Sequence, residues 1–139
     1  MPILQKGVAA LANRMPKVIS PKGHAIADYA TIGTFFLLAG LFWGRNKRAA
    51  IAALICGGSE LATTLLTDFP GGVAKVISFP THGKIDMGLA ATAASMPSFM
   101  GFDDEPEAKW LRIMGLNVTA VTAMTDFEQL RREPRRRAA

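Results

Sequence analysis

The stretch AIADYATIGTFFLLAGLFW, residues 25–43, decides the fold, because it runs for nineteen residues with a single charged side chain. A bilayer core about 30 Å thick is crossed by about twenty helical residues. A helix on the surface of a soluble protein would carry a charged stripe along one face, and this stretch has none. It therefore predicts a helix that crosses a membrane.

Three further apolar segments follow, at residues 49–67, 85–102 and 110–125. Short polar connections separate them, and short connections make neighbouring helices antiparallel. Hydrophobic residues make up 50% of the chain and charged residues only 19%, below the usual quarter. The sequence predicts an all-α protein, a bundle of four transmembrane helices that forms one membrane domain over residues 1–139.

Both end segments of the chain are predicted to lie on the same side of the membrane. Residues 1–16 have the spacing of an amphipathic helix at the membrane surface, and residues 128–139 form a basic tail. Eleven of the sixteen Lys and Arg residues fall on the side of the two termini. Positive charge marks the cytoplasmic side, so we expect a multi-pass protein of a bacterial inner (plasma) membrane with both termini in the cytoplasm.

The basic composition, with a net charge of +5, also bears on partners. The aromatic residues lie within apolar runs rather than among basic residues, so nucleic acid is not an expected partner. Membrane lipids are the expected surroundings, since a basic tail is attracted to anionic headgroups. A membrane protein partner or a second copy of the chain also fits the pattern.

An internal repeat runs through the chain. Residues 17–69 align without a gap on residues 75–127, at an offset of 58, and 15 of the 53 aligned positions are identical. The motifs KVIS and TDF each occur twice at this offset. This self-similarity predicts a tandem duplication of a two-helix unit. Two spanning helices return the chain to its starting side, so the copies should share one orientation about a two-fold axis along the membrane normal.

Ionisable residues recur at the same offset. HAIAD at 24–28 and HGKID at 82–86 each place a histidine and an aspartate on one face of a helix, since residues four apart are neighbours there. The repeated TDF adds an aspartate at the end of each copy's second helix. We therefore predict a polar ring at the cytoplasmic end of the bundle. Its members are His24, Asp28, Asp68, His82, Asp86 and Asp126.

Three functions for this ring remain open at the sequence level. It fits a hydrogen-bonded network that fixes helix ends, in a structural or accessory membrane subunit, and this interpretation is favoured. Imidazoles with carboxylates also suit Zn²⁺, Mn²⁺ or Fe²⁺, and two histidines suit haem, in a redox or transport protein. A His–Asp pair could also relay protons. No catalytic residue is predicted, and whether the protein is an enzyme is left open.

Glu60 stands apart, near the middle of the second apolar segment. A carboxylate at that depth costs a few kcal/mol, so such residues usually have a function. The repeat matches it with Val118, so the two-fold does not preserve it. An intramembrane acid of this kind supports a further alternative, a proton-coupled carrier that uses Glu60.

Two tandem two-helix membrane units in a short chain resemble the SPW-repeat class of small bacterial integral membrane proteins, over residues 17–127. The Ser-Pro-Trp signature itself is absent, and the nearest dipeptide, Ser20-Pro21, continues with Lys22. IGTFFLLAGLFW at 32–43 is also similar to the first helix of DoxX-like four-helix membrane proteins. Both resemblances imply a small four-helix integral membrane protein and supply no catalytic residues.

Overall fold

A computed structural model describes residues 2–137, most of which are helical. The elements in chain order are α1 Pro2–Arg14, α2 Pro21–Phe42, α3 Lys47–Leu66, β1 Thr67–Asp68, β2 Ile77–Ser78, α4 Phe79–Phe99, α5 Ala108–Ala123 and α6 Gln129–Arg137. The four apolar segments correspond to α2, α3, α4 and α5. The chain is helical within both predicted end segments, 1–16 and 128–139. Met1, Ala138 and Ala139 lie outside the described residues.

The helices α2 and α4 begin in the same way. The Ser20 hydroxyl accepts a hydrogen bond from the Gly23 amide at 3.1 Å, and the Ser78 hydroxyl accepts one from the Thr81 amide at 3.3 Å. A serine in this position satisfies a backbone N–H that has no partner within the helix. The two N-caps are 58 residues apart, so both helices start at equivalent points of the repeat.

The four long helices pack as a closed ring. α2 packs mainly against α3 and α4 against α5, while contacts of α3 with α4 and of α2 with α5 join the pairs. By length and composition, α2 and α3 are able to cross a membrane. α4 has 21 residues and α5 has 16, so these two are the shorter or less apolar members of the bundle.

The apolar core fills the half of the bundle that lies towards the α2–α3 and α4–α5 connections. Alanines on α3 are fully buried and let the neighbouring helices come close, while larger side chains from the other three helices fill the centre. A second, smaller apolar cluster lies at the opposite end, around Phe69 and Phe79. Between the two clusters lies a layer of buried polar residues, which contains the candidate site.

Two matched glycines mark the closest helix approaches. A methyl group on Gly57 of α3 would lie 2.9 Å from Cβ of Phe35, and one on Gly115 of α5 would lie 2.6 Å from the carbonyl oxygen of Ala90. Neither site has room for a side chain without movement of the neighbouring helix. Both helix pairs therefore depend on a glycine at the same position of the repeat.

The outer surface of the bundle is rich in large apolar side chains. Leu37 of α2 is 62% exposed, Leu116 of α5 is 69% exposed and Phe99 at the end of α4 is 86% exposed. Water-soluble monomers rarely leave this much apolar surface uncovered. This surface matches an apolar environment around the helices.

Candidate metal centre

The paired histidines and aspartates of the repeat meet in the interior of the bundle. α2 carries His24 and Asp28 one turn apart, and α4 carries His82 and Asp86 with the same spacing. Both imidazoles are fully buried and both carboxylates nearly so. These four residues are called the His/Asp cluster below.

The two imidazoles face each other through their Nε2 atoms, which are 3.3 Å apart. Nε2 of His24 lies 3.2 Å from Oδ1 of Asp28 and 3.1 Å from Oδ2 of Asp86. Nε2 of His82 lies 3.3 Å from Oδ2 of Asp28 and 3.2 Å from Oδ1 of Asp86. Each carboxylate therefore presents one oxygen to each imidazole. One donor atom from each residue lies within 4.8 Å of the other three.

Two threonines that the sequence analysis did not select fix the orientation of the imidazoles. Oγ1 of Thr67 lies 2.7 Å from Nδ1 of His82 and donates its proton to the Thr63 carbonyl at 2.6 Å. Oγ1 of Thr125 lies 2.8 Å from Nδ1 of His24 and donates to the Val121 carbonyl at 2.7 Å.

A hydroxyl whose only proton is already donated can only accept. Each Nδ1 must therefore carry a proton, which it donates to the threonine. In a neutral imidazole this leaves Nε2 with a free lone pair, directed into the His/Asp cluster. Histidines that bind metals are oriented in this way, by a hydrogen bond from the ring nitrogen that does not touch the ion.

The threonines point inward because the chain becomes extended where α3 and α5 end. Thr67 of β1 pairs in parallel with Ile77 of β2, and Thr125 forms an isolated parallel bridge with Ile19. The two pairings are equivalent under the repeat. Thr125 is the counterpart of Thr67, and Ile19 is the counterpart of Ile77, each at the offset of 58 residues. The same two backbone pairings thus bring the end of each second helix to the histidine of the other half.

Two further matched threonines bind the carboxylates. Oγ1 of Thr64 lies 3.5 Å from Oδ2 of Asp28, and Oγ1 of Thr122 lies 3.4 Å from Oδ2 of Asp86. All four threonines are buried. The carboxylates are therefore held between a hydroxyl of the same half and the two imidazoles.

An aromatic layer closes the cluster towards the outside. The ring of His24 is 6.3 Å from that of Phe69 and 5.3 Å from those of Phe79 and Phe127, measured between centroids. Phe69 and Phe127 are matched by the repeat, whereas Phe79 is matched by Pro21. A surface cavity of about 510 Å³ lies outside this layer, and the three phenylalanines form part of its wall.

Glu60 lies on the inner side of the cluster, as a residue of α3 one turn before Thr64. It is only 2% exposed, and its Oε2 has no hydrogen-bond partner among the residues that the structure describes. A narrow cavity connects it with the His/Asp cluster, and His24, Asp28 and Asp86 line this cavity together with it.

The other two aspartates of the predicted ring lie outside the cluster. Asp68 is exposed and its carboxylate lies 3.4 Å from Nζ of Lys75. Asp126 pairs with Arg132 and accepts a hydrogen bond from the Glu128 amide. The ring of six that the sequence predicts is therefore a cluster of four in the structure.

The His/Asp cluster favours positive charge among its donor atoms, and a metal ion is one source of it. Two lone pairs and two carboxylates that converge in a buried space repel one another unless positive charge lies among them. Two imidazolium groups would place their N–H groups face to face across 3.3 Å, which is also repulsive. One divalent ion makes the set of two carboxylates and two neutral imidazoles electrically neutral.

The distances suit such an ion. Ligands that bind at about 2.1 Å and subtend angles of about 90–109° lie about 3.0–3.4 Å from one another. The contacts between neighbouring donors in the cluster measure 3.1–3.3 Å. Haem fits less well, because Asp28 and Asp86 occupy the sides of the space between the imidazoles, where a porphyrin would have to extend.

Comparisons with known proteins give no match: no family model, no curated protein and no solved structure is significantly similar to the chain.

Proposed function

We propose that this chain is a small integral membrane protein that binds one divalent transition-metal ion in the His/Asp cluster. In this proposal the ion ties the starts of α2 and α4 together at one end of a four-helix membrane bundle. The protein then acts as an accessory or structural membrane subunit whose folded state depends on the metal. The donor set of two imidazoles and two carboxylates suits Zn²⁺, Fe²⁺ or Mn²⁺.

The observation that carries the metal proposal is the pair of threonine hydrogen bonds to Nδ1. A hydrogen-bonded helix lock would need imidazolium groups that donate from Nε2 as well as from Nδ1, and their two Nε2–H groups would then lie face to face across 3.3 Å. Here Thr67 and Thr125 already accept from Nδ1, at 2.7 and 2.8 Å. The Nε2 lone pairs of His82 and His24 are thereby left for a cation. The carboxylates supply the negative charge that a divalent ion needs in an apolar interior.

The membrane placement rests on several features together. α2 and α3 have the length and composition of spanning helices, and the outer faces of the bundle are apolar. In the proposal α4 and α5 also cross, with help from the residues that flank them. The excess of basic residues on the side of the termini favours a cytoplasmic position for both ends and for the metal site. α1 lies along the membrane surface on that side.

A tandem duplication also belongs to the proposal. The contacts Thr67 to His82 and Thr125 to His24, and the backbone pairings that support them, are related by an exchange of the two halves. Such paired contacts are expected when two copies of a two-helix unit associate about a two-fold axis.

Metal analysis of the detergent-purified protein tests the function. The wild type is stripped with a chelator, incubated anaerobically with Zn²⁺, Fe²⁺ or Mn²⁺, freed of unbound ion and analysed by mass spectrometry. We expect one ion per chain. The double variant His24→Gln/His82→Gln should retain none, because both nitrogen ligands are lost. Asp103→Asn is the control, since this half-exposed carboxylate lies between α4 and α5, at the far end of the bundle.

A wild type that stays metal-free under all three conditions contradicts the metal function. If the double variant then also melts at a lower temperature, the cluster is a hydrogen-bonded lock. The topology is tested separately with a reporter fused after Ala139. Its activity on the cytoplasmic side supports the proposed orientation, and activity on the other side contradicts it.

A further inference from the structure

We propose that Glu60 is a third carboxylate ligand of the metal centre, which it reaches from the inner side of the His/Asp cluster. This inference rests on the proposed metal function and deepens it, because it selects the class of ion. A centre with two imidazoles and three carboxylates favours an ion that accepts five or six ligands, such as Fe²⁺ or Mn²⁺, over Zn²⁺ in a four-coordinate protein site.

The first argument is the unsatisfied carboxylate. Glu60 is 2% exposed, and its Oε2 has no hydrogen-bond partner within residues 2–137. Buried polar atoms in folded proteins are nearly always paired, and each exception needs an explanation. The carboxylates of Asp28 and Asp86 are each within 3.5 Å of a threonine hydroxyl and both imidazoles, so Glu60 differs from its neighbours.

The second argument is the position of the side chain. Glu60 and Thr64 lie one turn apart on the same face of α3, and Thr64 already contacts Asp28. Glu60 also lines the narrow cavity that touches His24, Asp28 and Asp86. Glu60 therefore lies on the wall that faces the donors of the His/Asp cluster.

The third argument excludes water as the missing partner. A buried water needs a space of at least about 10–15 Å³ for the centre of a water-sized sphere. The cavity beside Glu60 has approximately 0 Å³ of such space. In this arrangement of the side chains the oxygen is left to a proton or a cation, and a metal ion in the cluster is such a cation.

The repeat supplies the fourth argument. The position matched to Glu60 is Val118, which lines the same cavity. A second glutamate there would add another buried negative charge to a site that already carries three carboxylates. On the inner wall the two-fold thus matches a carboxylate with an apolar side chain, as a single additional ligand requires.

Metal titrations of the purified full-length protein test the assignment. Mn²⁺ affinity is measured by electron paramagnetic resonance, and Zn²⁺ affinity by competition with a chromophoric chelator. Glu60→Gln keeps the size of the side chain but weakens its binding to metal. We expect it to lower Mn²⁺ affinity at least about tenfold, while Zn²⁺ affinity changes little. X-ray absorption of the Mn²⁺ complex should show one oxygen ligand fewer than in the wild type.

Two further variants complete the design. Cys56→Ala is the matched control, because Cys56 is buried one turn before Glu60 on α3 and is not among the residues that line the cavity. This variant should bind Mn²⁺ as the wild type does. Glu60→Asp keeps the charge on a shorter side chain and should give an intermediate affinity. If Glu60→Gln fails to fold, Glu60→Asp takes its place in the test, because a ligand role for Glu60 predicts weaker Mn²⁺ binding in this variant too.

The outcomes separate the two proposals. Equal losses of Mn²⁺ and Zn²⁺ affinity in Glu60→Gln would show a purely electrostatic effect and overturn the ligand assignment. Unchanged Mn²⁺ affinity overturns it as well, while the metal function stands. A wild type that binds neither ion overturns the metal function itself.

Discussion

The two halves of the bundle, α2–α3 and α4–α5, agree at the end where the helices α2 and α4 begin and differ almost everywhere else. Both halves contribute a histidine, an aspartate and two threonines to the centre, in contacts that match within 0.1 Å: 2.7 and 2.8 Å for the threonine–histidine pairs, and 3.5 and 3.4 Å for the threonine–aspartate pairs.

The differences between the halves lie on either side of that centre. On the outer side Phe79 stands where the first half has Pro21, and on the inner side Glu60 stands where the second half has Val118. No residue of the connection 43–46 recurs at the 58-residue offset in the connection 100–107. The four residues of the His/Asp cluster are matched, whereas Phe79 in the cover and Glu60 on the inner side are each contributed by one half alone. From this contrast we predict how substitutions at matched and unmatched positions change stability and metal binding.

The largest effect on stability is expected from Phe79→Ala, which removes a cover residue that only the second half supplies. Phe79 is 2% exposed and packs against Phe69 and Phe127. Truncation of a buried phenylalanine costs about 3–5 kcal/mol. We expect a loss of that size in denaturant unfolding in detergent micelles, and faster removal of the metal by chelator. Phe99→Ala, on the same helix but exposed, should leave both unchanged.

The next largest effect compares the two carboxylates. Asp28→Asn and Asp86→Asn each remove one charged ligand from a symmetric position, so each should weaken metal binding about 100-fold, or about 2.7 kcal/mol. The two losses should agree, and calorimetric titration in detergent measures both. A loss confined to one aspartate would contradict the symmetric arrangement of the donors.

Smaller losses are expected when the threonines that orient the imidazoles are replaced. Thr67→Val and Thr125→Val keep the shape of the side chain and remove the acceptor for Nδ1 of His82 and His24. Changes of this kind reduce metal affinity about 10–100-fold. The same competition assay with a chelator measures both variants. Unchanged affinity in either variant would show that the threonine does not fix the imidazole.

The smallest effects are expected at Asp68 and Asp126, which are matched by the repeat but lie outside the His/Asp cluster. Asp68→Asn removes a partner of Lys75, and Asp126→Asn removes a partner of Arg132, both near the surface. Surface ion pairs contribute about 0–1 kcal/mol. Neither variant should change the metal content, and a loss of metal from either would mean that the centre extends beyond the His/Asp cluster.

Much of the site could be predicted from the sequence because helices have a fixed period. The spacing of His24 and Asp28, and of their copies, places each pair on one face of a helix whatever the helix packs against. The helical period also explains why the prediction that Asp68 and Asp126 belong to the ring was wrong. A continued helix would put Asp68 on the face of Thr64, but α3 ends at Leu66.

In the extended residues that follow α3, successive side chains point to opposite sides. Thr67 therefore turns inward to His82, while Asp68 turns outward to solvent. The same change after Ala123 turns Thr125 inward and leaves Asp126 outside the cluster. The repeated TDF motif contained this signal, since its threonine recurs together with its aspartate.

The sequence by itself determined the four apolar helices, the 58-residue offset between the halves and the histidine–aspartate pairs, because these depend only on composition and on spacing along one helix. The tertiary structure decided which of the shared polar residues meet. It brought together residues from four helices and from the extended segments that follow α3 and α5. It placed the threonines, rather than the outer aspartates, at the cluster and left Oε2 of Glu60 without a hydrogen-bond partner among the described residues. Such choices depend on where each helix ends and how the halves pack, which no local pattern contains.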